Sequence, residues 1–111
     1  MIKELTKFEE ILLWAIAELE DEAYGFNIRR HGSSKLGLDY TFGNLYSALG
    51  RLNHKGYVFK RSAEGGPARR GKPRMDYTLS KDGRSALREA YQLNRKMWTV
   101  FAKRVSESGR S

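Results

Sequence analysis

The residues that favour β-strands are concentrated in two short segments of the chain, and this restricts its fold more than any other feature. YVFKRS (57–62) is rich in strand formers, and RMDYTL (74–79) alternates apolar with polar side chains. Between them, residues 65–73 hold several glycines and both prolines, which is the composition of a turn. The pattern predicts one β-hairpin, so the remainder of the core has to be built from helices.

Two helices are predicted in the first third of the chain. Thr6 and Glu9 have the spacing of a capping box, and apolar residues recur at helical spacing behind them, which predicts a helix over 7–19. The acidic residues that follow suit a helix N-terminus, so a second helix is expected over 22–31. Gly32 is its predicted end, because glycine tolerates the left-handed conformation that often follows a helix.

A third helix is predicted over 42–55, capped by Thr41 and ended by Gly56. Its apolar stripe consists of Phe42, Leu45, Leu49 and Leu52. The opposite face is centred on Ser47 and carries small or polar residues: Gly43, Asn44, Gly50, Arg51 and His54. Small residues permit close approach to another molecule, although each interior glycine costs about 1 kcal/mol of helix stability relative to alanine. A poor surface helix without function is the alternative interpretation.

The last helix is predicted to be much longer than the others. Ser80 caps it, and a helical apolar pattern runs over 81–105. A helix of this length spans about 37 Å, which is more than a small domain can cover, so its apolar face needs another surface. We expect a second copy of the chain to supply that surface. The predicted dimerisation residues are Leu87, Tyr91, Met97, Trp98 and Phe101.

Three helices followed by a hairpin predict a winged helix-turn-helix, a mainly helical fold of the α+β class. We assign the winged-helix domain to residues 1–80, the dimerisation helix to 81–106 and a disordered tail to 107–111. The longest apolar run, over 11–17, is too short to cross a bilayer, and the N-terminus lacks a signal-peptide pattern. A cytoplasmic protein is therefore expected.

The chain offers little for catalysis or metal binding. It has no cysteine, which excludes disulfides and thiolate sites, and His31 and His54 have no partner at metal-ligand spacing. Its acidic residues are scattered, without a nucleophile–base pair to organise them. We therefore predict no enzymatic activity, no catalytic residue, no metal and no cofactor.

The segment 66–72 has the first seven positions of a P-loop, Gly-x-x-x-x-Gly-Lys. A P-loop needs a serine or threonine next, to bind magnesium, and it leads from a strand into a helix. Pro73 occupies that position, and a strand is predicted after it. The match is therefore interpreted as coincidental, and nucleotide binding is rejected.

Positive charge is distributed unevenly along the chain. The net charge is +8, yet residues 1–22 hold 2 basic and 7 acidic side chains, whereas the remainder holds 19 basic and 6 acidic ones. An acidic end on a basic body is typical of a surface that binds a polyanion, with a generally basic protein as the alternative.

Nucleic-acid binding is the function that these features favour. The predicted hairpin carries six cations within 60–74, where they suit phosphate contacts, and a solvated basic turn is the alternative. The helix over 42–55 suits reading base edges in the major groove. The predicted DNA contacts are Thr41, Asn44, Tyr46, Ser47 and Arg51 at this helix, and Arg69, Arg70, Lys72 and Arg74 on the hairpin.

Three blocks of sequence resemble the PadR family of bacterial winged-helix transcriptional regulators: AYGFNI (23–28), NLYSALGRLNHKGYV (44–58) and RGKPRMDYTLSKDG (70–83). The resemblance extends over residues 5–90, and the single long C-terminal helix is similar to the family's smaller subgroup. The resemblance implies a homodimer that binds palindromic double-stranded operator DNA, usually as a repressor. It also implies release by a small aromatic or hydrophobic effector.

Two departures from the family pattern concern the third helix. Asn44 replaces the usual threonine and can bridge N6 and N7 of adenine, so the base preference is expected to differ. Phe42 is also bulkier than the usual residue. The resemblance also implies that Trp14 and Trp98, on the first and last helices, flank an effector site. Packing of both rings in the dimer core is the alternative.

Two other functions stay open on the sequence alone. An effector-binding or protein-interaction module of the same fold would lack operator binding. A sequence-independent nucleic-acid-binding protein would lack base readout. The salt dependence and the base preference of DNA binding distinguish these cases.

Overall fold

The computed structural model describes residues 5–63 and 74–108, and within them four helices and a two-stranded hairpin confirm the predicted mainly helical winged-helix fold. In chain order the elements are α1 (Lys7–Leu19), a 3₁₀ helix (Glu20–Glu22), α2 (Gly25–Leu36), α3 (Phe42–His54), β1 (Val58–Ala63), β2 (Arg74–Leu79) and α4 (Lys81–Ser108).

The capping box at the start of α1 is present, and the predicted bounds of this helix are confirmed. The Thr6 hydroxyl accepts a hydrogen bond from the backbone N–H of Glu9 at 3.0 Å, and the Glu9 carboxylate accepts one from the backbone N–H of Thr6 at 2.9 Å. Behind this cap, Leu12, Leu13 and Ile16 enter the core. Local hydrogen bonding and apolar periodicity therefore agree on where α1 begins and which side it buries.

The prediction of a second helix over 22–31 is wrong at both ends. The acidic residues Glu20–Glu22 form a short 3₁₀ helix, and α2 itself begins three residues later. Gly32 lies inside α2, where a Cβ atom would come within 2.9 Å of the Tyr40 hydroxyl. Gly32 thus leaves room for this ring, and Gly37, with φ of +67°, ends the helix instead.

Helix α3 agrees with its prediction in position but not in its whole apolar stripe. The Thr41 hydroxyl accepts from the backbone N–H of Asn44 at 3.0 Å, and Gly56 follows the helix with φ of +79°. The predicted stripe includes Phe42, yet 40% of its surface is exposed. Ala48, which the predicted stripe did not include, is buried, so the buried residues of α3 are Leu45, Ala48, Leu49 and Leu52.

The hairpin is an antiparallel pair in which Val58 lies opposite Leu79 and Ala63 opposite Arg74. Strand β2 has its predicted bounds, whereas β1 begins and ends one residue later than predicted. The backbone N–H of Tyr77 also donates to the carbonyl of Ala23 at 2.8 Å, between the 3₁₀ helix and α2. This bond attaches the hairpin to the helical layer.

A close backbone contact fixes the start of α4. The buried Ser80 hydroxyl donates to the carbonyl of Gly56 and accepts from the backbone N–H of Gly83. A Cβ at Gly83 would overlap the carbonyl of Tyr57, so a glycine is required at this position.

Within the described residues, the first half of α4 packs on the rest of the chain, and the Asn94 amide donates to the Glu10 carboxylate of α1 at 3.0 Å. Ala86 belongs to the core and Leu87 packs against it, whereas the large apolar residues from Tyr91 onward are exposed. The helix continues to Ser108, beyond its predicted end at 105 or 106, and the remainder of the predicted disordered tail, 109–111, lies outside the described residues. The longest dimension is 64 Å. No helix in the described part of the chain is long and apolar enough to cross a membrane.

Candidate nucleic-acid interface

The face of α3 that points away from the core is exposed and nearly free of bulky side chains along its centre. Gly43, Ser47, Gly50 and His54 occupy this centre. A Cβ at Gly50 would meet nothing within 4 Å, and one at Gly43 would meet the Thr41 hydroxyl at 3.7 Å. Within residues 5–63 and 74–108, packing requires neither glycine, so the helix backbone is open to close approach from outside.

Polar side chains extend from the centre of this face, at Ser47, to the flank that is nearer to α1. Asn44, Ser47 and Arg51 are exposed, and an Arg51 N–H donates to the Ser47 hydroxyl at 3.5 Å. Together with aromatic rings from α1 and the α2–α3 loop they border a shallow cavity of about 220 Å³, lined by Phe8, Tyr40, Asn44, Ser47 and Arg51. The structure thus brings three predicted base-contacting side chains together.

A buried carboxylate behind this flank connects α3 to α1. Glu9 is 1% exposed, and its oxygens accept from the Lys55 ammonium at 3.0 and 3.1 Å and lie 3.6 Å from the Arg51 guanidinium. Burial by itself would raise the pKa of Glu9, but the backbone N–H of Thr6 and the ammonium of Lys55 outweigh it and hold the pKa below its ordinary value. The carboxylate therefore stays ionised and orients both cations.

The second role of Glu9 was not predicted from the sequence. Its place in the capping box accounts for a glutamate at this position, and its partner Lys55 is 46 residues away in the chain. Arg51 and Lys55 have i, i+4 spacing, which places like charges on one side of the helix and is unfavourable by itself, but this spacing does not show that a buried acid compensates them.

Aromatic side chains occupy the other flank of α3. The rings of Phe42 and Tyr46 are stacked with their centroids 6.2 Å apart, and the Arg29 guanidinium lies 4.9 Å from the Phe42 centroid. Tyr46 is 49% exposed, and its hydroxyl lies so close to Gly25 that a Cβ there would overlap it. The predicted contact Tyr46 thus presents its ring to solvent, with its hydroxyl at the first turn of α2.

The structure locates the predicted hairpin cations only in part. Lys60 and Arg61 on β1 are exposed. Arg69, Arg70 and Lys72, the predicted phosphate contacts at the tip, lie outside the described residues.

Arg74, the remaining predicted hairpin contact, is engaged within the chain. Its guanidinium donates to both carboxylate oxygens of Asp76, at 2.9 and 3.3 Å, and lies 3.8 Å from Glu22. It also lies 4.2 Å from the centroid of the Tyr24 ring. The hydrogen bond to Asp76 raises the pKa of Arg74. These partners give Arg74 a role in attaching β2 to the segment before α2.

The predicted effector and dimerisation residues fall into two groups. Trp14 is half-buried against the His31 ring at 4.8 Å, and Leu87 packs on the core of its own chain. Trp98 is 60% exposed and contacts Phe101 edge-to-face at 5.4 Å. Tyr91, Met97 and Phe101 are exposed as well, so most of the predicted dimerisation residues have free surface.

In residues 5–63 and 74–108, no three His, Asp or Glu side chains are arranged so that they could hold a metal ion.

Comparisons with known proteins agree with this geometry. Residues 12–89 match the profile of the family described as Transcriptional regulator PadR-like family. No curated protein matches the chain. A solved complex structure of hsRosR-S4 is 23% identical, with 96% of this chain and 94% of that chain covered and a TM-score of 0.67.

Two further solved structures share the fold. A PadR family transcription regulator from Clostridium difficile R20291 is 22% identical, with 90% of this chain and 96% of that chain covered and a TM-score of 0.63. Bacillus subtilis PadR, solved in complex with operator DNA, is 20% identical, with 78% of this chain and 47% of that chain covered and a TM-score of 0.61. At such identities the likeness establishes the fold alone.

Proposed function

Since the chain belongs to the PadR-like family of transcriptional regulators, we propose that it represses transcription by binding palindromic operator DNA as a homodimer. Proteins of this family are regulators and not enzymes. The single observation that carries the proposal is the open face of α3, with Gly43, Ser47 and Gly50 at its centre. Bacillus subtilis PadR, which has the same fold, was solved with operator DNA.

In the proposed complex, α3 enters the major groove, because its glycines let the helix backbone approach the bases closely. The amide of Asn44 can bond the N6 and N7 edge of adenine, and Ser47 can bond an acceptor or a donor. Arg51 reaches a guanine edge or a phosphate from a position that Glu9 fixes. Thr41 and Tyr46, at the N-terminal end of the helix, suit contacts to the DNA backbone.

The hairpin is proposed to bind phosphates. Lys60 and Arg61 are exposed on β1, and we propose that Arg69, Arg70 and Lys72 extend this positive charge at the tip. We leave Arg74 out of the proposed contacts, because Asp76 and Glu22 already compensate its charge.

The exposed part of α4 is proposed to hold two protomers together. Seven large apolar residues of this helix are exposed, far more than a surface helix of a monomer carries: Tyr91, Leu93, Met97, Trp98, Val100, Phe101 and Val105. A second copy brings the same apolar surface, and a two-fold axis suits a palindromic site.

A small aromatic effector is the second candidate function, and the exposed Trp98 favours it. In a dimer, Trp98 and its neighbour Phe101 would offer two rings to a planar ligand. Quenching of tryptophan fluorescence by planar aromatic compounds, abolished in Trp98→Ala, would support it. An unchanged spectrum would favour a packing role for this ring.

Salt titration of DNA affinity tests the main proposal. We expect the logarithm of affinity to fall linearly with the logarithm of salt concentration, because bound phosphates release counterions. Replacing Arg69, Arg70 and Lys72 by alanine should weaken binding to all sequences alike and reduce the slope by about 0.9 for each phosphate that is no longer neutralised. An unchanged slope would contradict the assignment of the hairpin.

A second arm of the same experiment tests α3 by the variant Gly50→Gln. Because a side chain at Gly50 meets open space, the change should raise stability by about 0.5 kcal/mol through helix propensity. The added side chain should nevertheless lower affinity for the preferred DNA at least tenfold, since it occupies the space that the bases need. Ser34→Gln on α2 is the matched control and should leave affinity unchanged. Undiminished affinity of Gly50→Gln would remove α3 from the interface.

A further inference from the structure

The aromatic flank of α3 is an unusual surface for a polyanion partner. Phe42 is 40% exposed and Tyr46 49% exposed, one helical turn apart, although neither ring donates or accepts hydrogen bonds across its face. On the opposite flank, by contrast, Asn44, Ser47 and Arg51 supply hydrogen-bonding groups. The two flanks therefore suit chemically different targets within the same groove.

The ring of Phe42 is held in place before any DNA is bound. The Arg29 guanidinium lies over it at 4.9 Å, and the nearly parallel Tyr46 ring lies 6.2 Å away. Arg29 is itself fixed, because its Nε donates to the Tyr40 carbonyl at 2.7 Å and its guanidinium lies 3.5 Å from Asp39. A side chain restrained in this way loses little conformational entropy when it binds.

We infer that Phe42, supported by Tyr46 and Arg29, is a specificity-determining residue that contacts the C5-methyl group of thymine. This inference rests on the proposed function, in which α3 enters the major groove and Asn44, two residues after Phe42, bonds a base edge. The thymine methyl is the one apolar group that base pairs present in the major groove. Against the polar edge of another base, the phenyl ring would desolvate donors or acceptors without replacing their hydrogen bonds.

The test compares thymine with deoxyuridine, which pairs identically but lacks the methyl group. Duplexes preferred by the wild-type protein are first selected from a random pool and then synthesised with either base. Wild-type protein should bind the deoxyuridine duplex about fourfold more weakly for each methyl contacted, the factor that corresponds to about 0.8 kcal/mol for one buried carbon group. Phe42→Ala should bind both duplexes equally.

Two further variants keep the test decisive. Phe42→Leu retains an apolar side chain and should keep part of the discrimination, and circular dichroism checks that each variant is folded. Phe59→Ala removes another exposed phenyl ring, on β1, and should discriminate as the wild type does.

The two ways in which the test can fail are distinguishable. If deoxyuridine weakens DNA binding by the same factor for wild type and for Phe42→Ala, the inference about Phe42 is overturned. Operator binding itself is not affected by that result. A pool from which no sequence is enriched would overturn the proposed function, and with it the thymine contact.

Discussion

Replacing Trp98 and Phe101 by glutamate is expected to convert the protein to a monomer and to lower its affinity for a two-half-site operator by about 10² to 10⁴. Both rings are more than half exposed in the single chain, so the charges need not disturb its core. Between two protomers they would lie in an apolar interface, where an unpaired carboxylate is strongly unfavourable. The affinity falls because each monomer then binds its half-site without the help of the other.

Light scattering at micromolar concentration measures the assembly, and titrations with one and with two half-sites measure the change in affinity. Affinity for an isolated half-site should change little. The control variant, Gln92→Glu with Thr99→Glu, adds the same charge to exposed positions on the polar side of α4 and should remain dimeric. A wild-type monomer, or a glutamate variant that still dimerises, would contradict the role proposed for this helix.

The elements specified by local signals could be predicted from the sequence. The cap formed by Thr6 and Glu9 and the apolar period behind it place α1, and Thr41 with Gly56 places α3. Gly32 could not be interpreted in this way, because the reason for a glycine there is the Tyr40 ring, which approaches from another part of the chain. The sequence alone does not distinguish a glycine that ends a helix from a glycine that leaves room for a side chain of another segment.

In the candidate site, too, local patterns could be predicted from the sequence, whereas contacts between distant segments could not. Periodicity predicts that Asn44, Ser47 and Arg51 are exposed, and the structure places them on one flank of α3. The charges engaged within the chain were not predicted, because the carboxylates that neutralise them come mainly from distant segments. In sequence Arg74 is one more hairpin cation, and only the fold brings Glu22 and Tyr24 beside it.

Replacing Glu9 by glutamine is expected to destabilise the protein by about 2 kcal/mol at neutral pH. Glutamine keeps the size of the side chain but loses the charge-assisted hydrogen bonds to Lys55, each of which contributes about 1.5–3 kcal/mol when fully formed. The two bonds together are expected to contribute only about 2 kcal/mol, because Lys55 remains partly exposed and regains water when its partner is removed. Unfolding by urea at a fixed protein concentration measures the difference, since dimerisation would shift the apparent stability.

The pH dependence separates the ionised carboxylate from its packing. Because the pKa of Glu9 is lower in the folded protein than its ordinary value of 4.5, its charge stabilises the fold above that value. This contribution is lost as the pH falls from 4.5 through the lowered folded pKa. The stability difference between wild type and Glu9→Gln should therefore be constant above about pH 6 and should narrow in acid.

A substitution of Lys55, at the C-terminal end of α3, tests whether Glu9 and Lys55 stabilise the fold through their mutual interaction. Lys55→Gln leaves the buried carboxylate without its closest cation, so it should destabilise the protein even though Lys55 itself is partly exposed. The double variant should be destabilised by less than the sum of the two single effects, since the same interaction is removed only once. Glu89→Gln, at an exposed position of α4, is the control, and its effect should stay within about 0.5 kcal/mol. The proposed role would be contradicted by two results together: a difference in unfolding free energy between wild type and Glu9→Gln that is the same at pH 3 as at pH 7, and additive effects of the Glu9 and Lys55 substitutions. Glu9 would then contribute packing, and its charge would not stabilise the position of α3.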